Sequence, residues 1–361
     1  MFITAIVFIV ILSLLVFIHE LGHYTVARWV GVHVEEFGFG LPPRIWGKQV
    51  GKTIYSLNWL PIGGFVKLAG EDEANLEHKG KVKNQETYFW ARSKKERAAI
   101  LLAGVTMNFV LAVVITTFLL GQGVFEPSGR VHVEKVVSGS PAAVAGLQKD
   151  DIILSVSSSN KSPKSLKLPK ELIDFTNTEK GNPIELTYVR SGSTYVVSLT
   201  PRVTPPKGEG PMGVAVSDLE LHKYSWTQAP VEAVKINVKR AGEMFTGLAD
   251  TVGKLVMRKP VGSDVAGPIG IAQVTGQAVK FGWKAVLEFM SILSLNLAVL
   301  NILPIPALDG GRLLFIVIEK LTGRKVNTKF EQTTHQIGMV VLLLLVVLIS
   351  INDIMRLARG G

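Results

Sequence analysis

Four long apolar stretches divide the sequence into candidate membrane spans and connecting segments. They occupy residues 2–18, 98–120, 289–308 and about 337–351. A bilayer core of roughly 30 Å needs about 20 helical residues, so the second and third stretches fit a span directly. The first and fourth must include flanking residues, which for the first are residues 19–23. The pattern predicts a polytopic α-helical membrane protein with four transmembrane helices.

Residues 127–202 follow a different pattern, in which short strand-like runs alternate with turns. Strands are predicted at residues 131–137, 151–156, 184–189 and 194–199, a short helix within 140–147, and a polar loop at 157–165. These features indicate a small β-rich domain inserted between the second and third spans. A Pro/Gly-rich linker at 203–211 and an amphipathic, interfacial helix at 231–256 are predicted to follow it.

Two segments between the first and second spans are rich in glycine, aromatic and β-branched residues. Residues 34–40 and 53–68 are therefore predicted to form membrane-associated β-hairpins. The expected domains are 1–126 (spans 1 and 2), 127–202 (β-rich domain), 203–285 (linker and interfacial helix) and 286–361 (spans 3 and 4).

Composition supports a membrane protein and limits the chemistry. Of 361 residues, 47% are apolar and 19% are charged, against roughly 25% charged in an average soluble domain. The net charge of +10 could indicate nucleic acid binding, but basic residues beside apolar runs more often mark the cytoplasmic rim of membrane helices. We therefore expect a lipid bilayer, and no nucleic acid, as partner. Because the sequence has no cysteine, any metal must use His, Asp or Glu.

Lysine and arginine residues predict the orientation of the spans. They cluster just before the second span, at positions 92, 94, 95 and 97, and just after the third, at 312, 320, 324 and 325. Under the positive-inside rule both connections face the cytoplasm, so residues 121–288 lie on the opposite side. Arg356 and Arg359 weakly oppose this scheme. A signal peptide is an alternative interpretation of residues 2–18, but no basic segment precedes them and no small-residue cleavage site follows.

The strongest chemical signal is the sequence His-Glu-Leu-Gly-His at residues 19–23. Histidines at i and i+4 face the same side of a helix and can bind one zinc, while the intervening Glu20 can accept a proton from water at the metal. The motif ends an apolar run, and ionisable groups at membrane depth are costly and usually functional. The alternative, that His19 and His23 only mark the polar end of a helix, does not explain their spacing.

A catalytic zinc needs a third protein ligand, and Asp309 is the better candidate. It is the first charge after 20 uncharged residues, two prolines precede it and two glycines follow. A broken helix at membrane depth is tolerated only inside protein or along a wet cavity. The alternative is an ordinary aspartate at a helix end. The other histidines lie mostly in polar segments or in the β-rich domain: His33, His78, His132, His222 and His335.

Gly104 and Asn108 lie four residues apart in the second span. A small residue lets helices approach closely, and a buried asparagine seeks a hydrogen-bond partner. Both helix packing and a catalytic role are therefore open for this pair.

Together these motifs resemble the site-2 protease family of intramembrane zinc metalloproteases, in its regulator-of-sigma-E protease branch. The matching stretches cover nearly the whole chain: residues 19–23, 38–40, 61–67, Gly104 with Asn108, 267–271, 301–310 and 352–353. The resemblance implies Zn²⁺ as cofactor, held by His19, His23 and Asp309, with Glu20 as the catalytic base.

The resemblance also implies roles for other parts of the chain. Asn301 and Asn108 are expected to bind substrate. Residues 127–202 look like a single PDZ domain, through residues 140–142 and 145–147, although the usual Gly-Asp pair reads Asp150-Asp151 here. The domain is expected to exclude substrates with bulky heads, and recruitment of substrate tails is the rival hypothesis.

The implied function is cleavage of transmembrane segments in single-span membrane proteins, such as an anti-sigma factor or signal-peptide remnants, in regulated intramembrane proteolysis. The implied location is a bacterial cytoplasmic (inner) membrane, with the PDZ-like domain on the extracytoplasmic side. Two other functions remain open. A non-catalytic scaffold could recruit partners through the PDZ-like domain, and a metal transporter could use the same His and Asp residues, although it should carry more polar residues along its spans.

Overall fold

The computed structural model describes residues 2–71, 85–158, 161–257 and 267–358. Its helices are α1 (Phe2–Trp29), α2 (Lys94–Gln122), α3 (Pro141–Val144), α4 (Pro169–Thr178), α5 (Ala229–Val256), α6 (Pro268–Phe281), α7 (Trp283–Ile302), α8 (Asp309–Thr322) and α9 (Thr328–Ala358). Its strands are β1 (Val34–Val50), β2 (Thr53–Leu68), β3 (Val124–Val136), β4 (Ile152–Ser158), β5 (Lys161–Ser165), β6 (Ile184–Arg190), β7 (Ser193–Leu199) and β8 (Val214–His222). The chain divides into a membrane unit (Met1–Gly121 with Ser225–Gly361) and a β domain (Gln122–Tyr224).

Four helices in the described part of the membrane unit are long and apolar enough to cross a bilayer: α1, α2, α7 and α9. Helix α1 continues through residues 19–23 to Trp29, so the His-Glu-Leu-Gly-His motif is helical. Ile11 and Leu15 of α1 are buried and pack with Leu293 of α7. The helix bearing the motif is thereby fixed against the helix that leads to Asp309.

The third apolar stretch differs from its predicted bounds. Helix α7 begins at Trp283, before the predicted start at residue 289, and ends at Ile302. Pro304 and Pro306 follow, and proline lacks the N–H that a helix interior requires. Residues 303–308 therefore form a loop, and Asp309 opens a second, shorter helix. No helix was predicted at α6 or α8, because 14 residues with interspersed glycine and charge do not stand out beside the longer apolar runs.

One sheet of β1 and β2, called the β1–β2 hairpin below, replaces the separate hairpins predicted at 34–40 and 53–68. Residues 44–50 of β1 pair antiparallel with residues 53–58 of β2 across a turn at Gly51, whose φ of 64° suits glycine. Residues 36–39 of β1 pair with residues 64–67 of β2 and also lie beside residues 54–57. The hairpin is attached to α1, since Ser13 Oγ donates to the Pro61 carbonyl at 2.5 Å. It therefore lies beside the helix that carries the His-Glu-Leu-Gly-His motif.

The β domain is an antiparallel sheet of strand order β7-β6-β4-β3-β8, with β5 paired to β4. Apolar residues of β3, β4 and β6 form one buried core with residues of α3 and α4: Val131, Val133, Ile153, Val156, Ile184, Leu186, Ala142 and Leu172. The polar loop predicted at 157–165 is wrong in part, because Ser158 ends β4 and residues 161–165 form β5. Residues 159–160 lie outside the described residues. The unit also extends beyond residue 202, since β8 pairs with β3.

The turn before β4 contains Asp150-Asp151, where the usual pair is Gly-Asp. Asp150 has a φ of 71°, the left-handed conformation that glycine would supply and that aspartate tolerates better than most residues. Asp151 is fully buried and accepts two hydrogen bonds of 2.7 Å from Arg190 and one from the Gln148 N–H. Asp150 thus keeps the left-handed turn, and the Asp151 carboxylate links the start of β4 to β6.

Candidate metal centre

Helix α1 presents two histidine side chains on one buried face. His19 and His23 are one helical turn apart and each is 7% exposed. Nδ1 of His23 lies 2.8 Å from the Ile100 carbonyl oxygen. Because a carbonyl only accepts, Nδ1 of His23 carries the proton and Nε2 is left with a free lone pair. Nε2 of His23 faces Nε2 of His19 at 3.1 Å.

Asp309 brings a carboxylate to the same point. Its Oδ2 lies 3.0 Å from Nε2 of His19 and 3.3 Å from Nε2 of His23. Ligand atoms at 2.0–2.2 Å from a tetrahedral zinc would be about 3.3–3.6 Å apart. The three donor atoms therefore have the type and spacing of a three-ligand zinc site. Among the described residues this is the one group of His, Asp and Glu side chains found to converge in this way.

Glu20 lies next to these donors. It lines a cavity of about 240 Å³ together with His19, Asp309 and Asn301. One carboxylate oxygen, Oε2, accepts a hydrogen bond of 3.1 Å from the Val66 N–H of β2. The hairpin thus fixes one end of the Glu20 side chain. The cavity provides space beside the carboxylate for water and a peptide group.

Helix α2 packs against the side chains of the two histidines. A Cβ on Gly104 would lie 2.8 Å from Nε2 of His19 and still closer to Nε2 of His23, so only glycine leaves room for both rings. Asn108 is fully buried, with its amide 3.4 Å from Nδ1 of His19. Exchanging the positions of the Asn108 amide nitrogen and oxygen would place Oδ1, which otherwise has no hydrogen-bond partner, beside Nδ1 of His19. A protonated Nδ1 can then donate a hydrogen bond to this oxygen. Asn108 is thus placed to orient His19. It also lines the cavity beside Glu20, so its role in substrate binding stays a prediction.

We expect Gly104→Ala to lower the affinity for zinc by roughly tenfold or more, because the added methyl group collides with both ring nitrogens. Metal content after dialysis against graded free zinc would measure the effect. Gly242→Ala on α5 is the matched control, since a Cβ there has no neighbour within 4 Å. Full zinc occupancy in Gly104→Ala at wild-type affinity would contradict this account of the site.

Asn301 lies in the last turn of α7, and its amide is 3.4 Å from Nε2 of His19. It therefore faces the same cavity as Glu20, His19 and Asp309. Val16, Leu297 and Leu308 supply apolar walls to this cavity. The predicted site residues His19, Glu20, His23, Asp309, Asn301 and Asn108 are all brought together.

A buried polar seam between α2 and α7 was not predicted from the sequence. Thr116 and Ser291 are hydrogen-bonded at 3.0 Å, and Ser294 Oγ donates to the Asn108 carbonyl. Asn237 of α5 donates to Thr116. Hydroxyl and amide side chains inside otherwise apolar helices signal such contacts, but they do not identify the partner.

The other described histidines are not part of this group of donor atoms. His132 contacts Ser128 and His222 packs on Tyr224, both within the β domain. His78 lies outside the described residues. His335 of α9 accepts a hydrogen bond of 2.9 Å from the Ala307 N–H, two residues before Asp309. Its side chain is therefore connected to the loop that carries the carboxylate.

Comparison with known proteins identifies the family of the chain. Residues 7–345 match the description "Peptidase family M50". The chain belongs to this family, and the predicted site-2 protease resemblance is confirmed. It is a zinc metallopeptidase and a multi-pass membrane protein.

Several individual relatives align along nearly the whole chain. A protein of Clostridium perfringens is 33% identical over 95% of this chain and 96% of its own length. The zinc metalloprotease RasP of Bacillus licheniformis and the regulator of sigma-W protease RasP of Bacillus subtilis are each 29% identical, over 98% of this chain and 99% of their own. The PDZ domain of an SdrC-like protein from Listeria monocytogenes is 23% identical with a TM-score of 0.21, covering 26% of this chain and 93% of that domain.

Proposed function

We propose that the protein is an intramembrane endopeptidase that cuts transmembrane segments of single-span membrane proteins at a zinc held by His19, His23 and Asp309. The observation that carries the proposal is the convergence of three donor atoms 3.0–3.3 Å apart beside the Glu20 carboxylate. These donors lie on α1 and at the α7–α8 break, both in or next to helices able to cross a bilayer.

The roles of the protein side chains follow from their positions. When bound, zinc supplies Lewis-acid chemistry, which polarises a carbonyl group and makes water more acidic. Glu20 accepts the proton of the attacking water and delivers it to the leaving amine. Asn301, on the same cavity, donates a hydrogen bond to the substrate backbone. Asn108 and the Ile100 carbonyl hold the two imidazoles in orientation.

A helical substrate must be unwound before its peptide bond can reach this cavity. We assign this step to the β1–β2 hairpin, because an extended substrate segment can add to a strand edge through main-chain hydrogen bonds. Exposed apolar side chains support it: Leu41, Ile45, Trp46, Leu57, Trp59 and Leu60. The hairpin also contacts Glu20 through Val66, so the strand that would receive substrate adjoins the catalytic base.

The physiological substrate class is inferred from one relative. Because a relative is named regulator of sigma-W protease, an anti-sigma factor or a similar single-span regulator is the substrate proposed here. The setting is the bacterial inner membrane, with the PDZ-like β domain outside the cytoplasm. A non-catalytic scaffold is less well supported, because a scaffold needs no carboxylate beside converging metal ligands.

The four-span arrangement predicts opposite locations for two exposed sites. A reporter in the turn at Gly192 should lie outside the cytoplasm, and one at Glu86, before α2, should lie inside. Reporter activity in whole cells measures both. Two reporters on the same side would contradict the proposed crossing by α2.

The proposed reaction is tested by mapping the cut. Purified protein and a single-span protein with a glycine-containing transmembrane segment would be incubated together, and the products identified by mass spectrometry. Cleavage within the apolar segment is expected. Cleavage confined to the aqueous flanks, or none with any of several such substrates, would contradict intramembrane proteolysis.

A further inference from the structure

The loop before Asp309 contains a backbone conformation that needs support. Ala307 has a φ of 79°, in the left-handed region that residues with a side chain rarely adopt. Within the loop, the Ile305 N–H donates to the Leu303 carbonyl and the Leu308 N–H to the Ile305 carbonyl. Neither bond involves Ala307. The residue two positions before the candidate ligand therefore depends on contacts from outside the loop.

Helix α9 supplies those contacts from two residues one turn apart. Nδ1 of His335 accepts the Ala307 N–H at 2.9 Å. At Gly338, an added Cβ would lie 2.7 Å from the Pro306 carbonyl oxygen, so the helix backbone lies directly against the loop. The ring of Phe315, from α8, lies 5.7 Å from the His335 ring. His335 is thus held between the loop and the helix that begins with Asp309.

Helix α8 closes the opposite side of the loop. A Cβ on Gly310 would overlap the carbonyl groups of Ile302 and Leu303, and one on Gly311 would overlap that of Ile305. The loop is packed on α8 through these glycines and on α9 through Gly338. Movement of α9 away from the loop would therefore release Ala307 and with it the placement of Asp309.

From this geometry we infer that His335, with Gly338, positions the third metal ligand. The inference deepens the proposed function and rests on Asp309 as a ligand. His335 acts as a hydrogen-bond acceptor for the Ala307 N–H and does not touch the metal-binding donors. Helix α9, the fourth candidate span, supplies none of the proposed ligands but would in this way help to hold the zinc site.

The test measures zinc release from the purified holoprotein in detergent. An excess chelator is added and the release rate is followed, together with the unfolding temperature of each variant. His335→Leu, which removes the acceptor, should release zinc roughly tenfold or more faster than wild type. His335→Asn, whose side-chain oxygen can accept the same N–H, should stay within about threefold of the wild-type rate.

Three further variants complete the comparison. Gly338→Ala should also accelerate release, because its methyl group displaces the loop. Gly247→Ala on α5 has open space around its Cβ and should leave the rate unchanged. Gln336→Leu removes an exposed polar side chain next to His335 and should likewise have no effect.

The outcomes separate this inference from the proposed function. If Asp309→Ala releases zinc faster but His335→Leu and Gly338→Ala do not, the positioning role is wrong while the ligand assignment stands. Equal acceleration in His335→Leu and His335→Asn would also overturn it, since an acceptor would then not matter. If Asp309→Ala leaves zinc release unchanged, the ligand assignment itself fails.

Discussion

Glu20→Gln should retain zinc and lose proteolysis by about 10²–10⁴-fold in turnover, the usual contribution of a positioned proton-transfer group. The glutamine amide has nearly the shape of the carboxylate but cannot accept the proton of the attacking water. Its side-chain oxygen can still accept the hydrogen bond from the Val66 N–H, so the contact with the hairpin is preserved. The variant therefore separates the proton transfer from the architecture of the site.

Metal content and cleavage of the same substrate would be measured on one preparation. Glu288→Gln, an equivalent change at a half-exposed position of α7, is the control and should leave turnover unchanged. Near-normal turnover in Glu20→Gln would remove Glu20 from the mechanism. Loss of zinc together with activity would instead show that Glu20 acts through the metal site.

Asp309→Ala should lower zinc affinity by more than about 100-fold and abolish cleavage. Outer-shell partners alone typically change metal affinity by 10–100-fold, and Asp309 is assigned to the inner shell. Without its carboxylate, two imidazole nitrogens 3.1 Å apart remain as protein donors. Zinc titration monitored by a competing chelator dye measures the affinity.

Asp353→Ala provides the matched control for removing a buried carboxylate. Asp353 is 3% exposed and accepts the Gly270 N–H at 2.9 Å, so it caps the start of α6 and lies in a different part of the membrane unit. Its loss should reduce stability but leave zinc affinity unchanged. If Asp309→Ala behaves like Asp353→Ala, Asp309 is structural and another ligand must exist.

The parts of this site that could be predicted from the sequence are those encoded locally. Because His19 and His23 are four residues apart, they lie on the same face of the segment once it is helical. Asp309 is recognised because it is the first charge after a long apolar run and stands between proline and glycine residues. Both signals depend on a few adjacent residues and on the high cost of polar groups inside a bilayer.

The parts that could not be predicted depend on packing between distant segments. Gly104 leaves space for the imidazole rings of His19 and His23, which lie more than 80 residues earlier in the chain. The pattern Gly-x-x-x-Asn does not indicate that these histidines are its contacts. The contact of His335 with Ala307 similarly depends on how α9 meets a loop. The length of the hairpin was missed because residues 41–50 are exposed along their whole length, which removes the alternation that marks a half-buried strand.

Hydrolysis of peptide bonds inside the membrane should depend on a metal held by His19, His23 and Asp309. The most direct measurement follows cleavage of a single-span substrate in proteoliposomes by the wild-type protein, before chelation, after chelation, and after return of stoichiometric zinc. Chelation should abolish cleavage within the transmembrane segment, and zinc should restore it in wild type, while Glu20→Gln with zinc returned should remain inactive. Cleavage that continues at the wild-type rate in the verified metal-free protein would contradict this metal dependence.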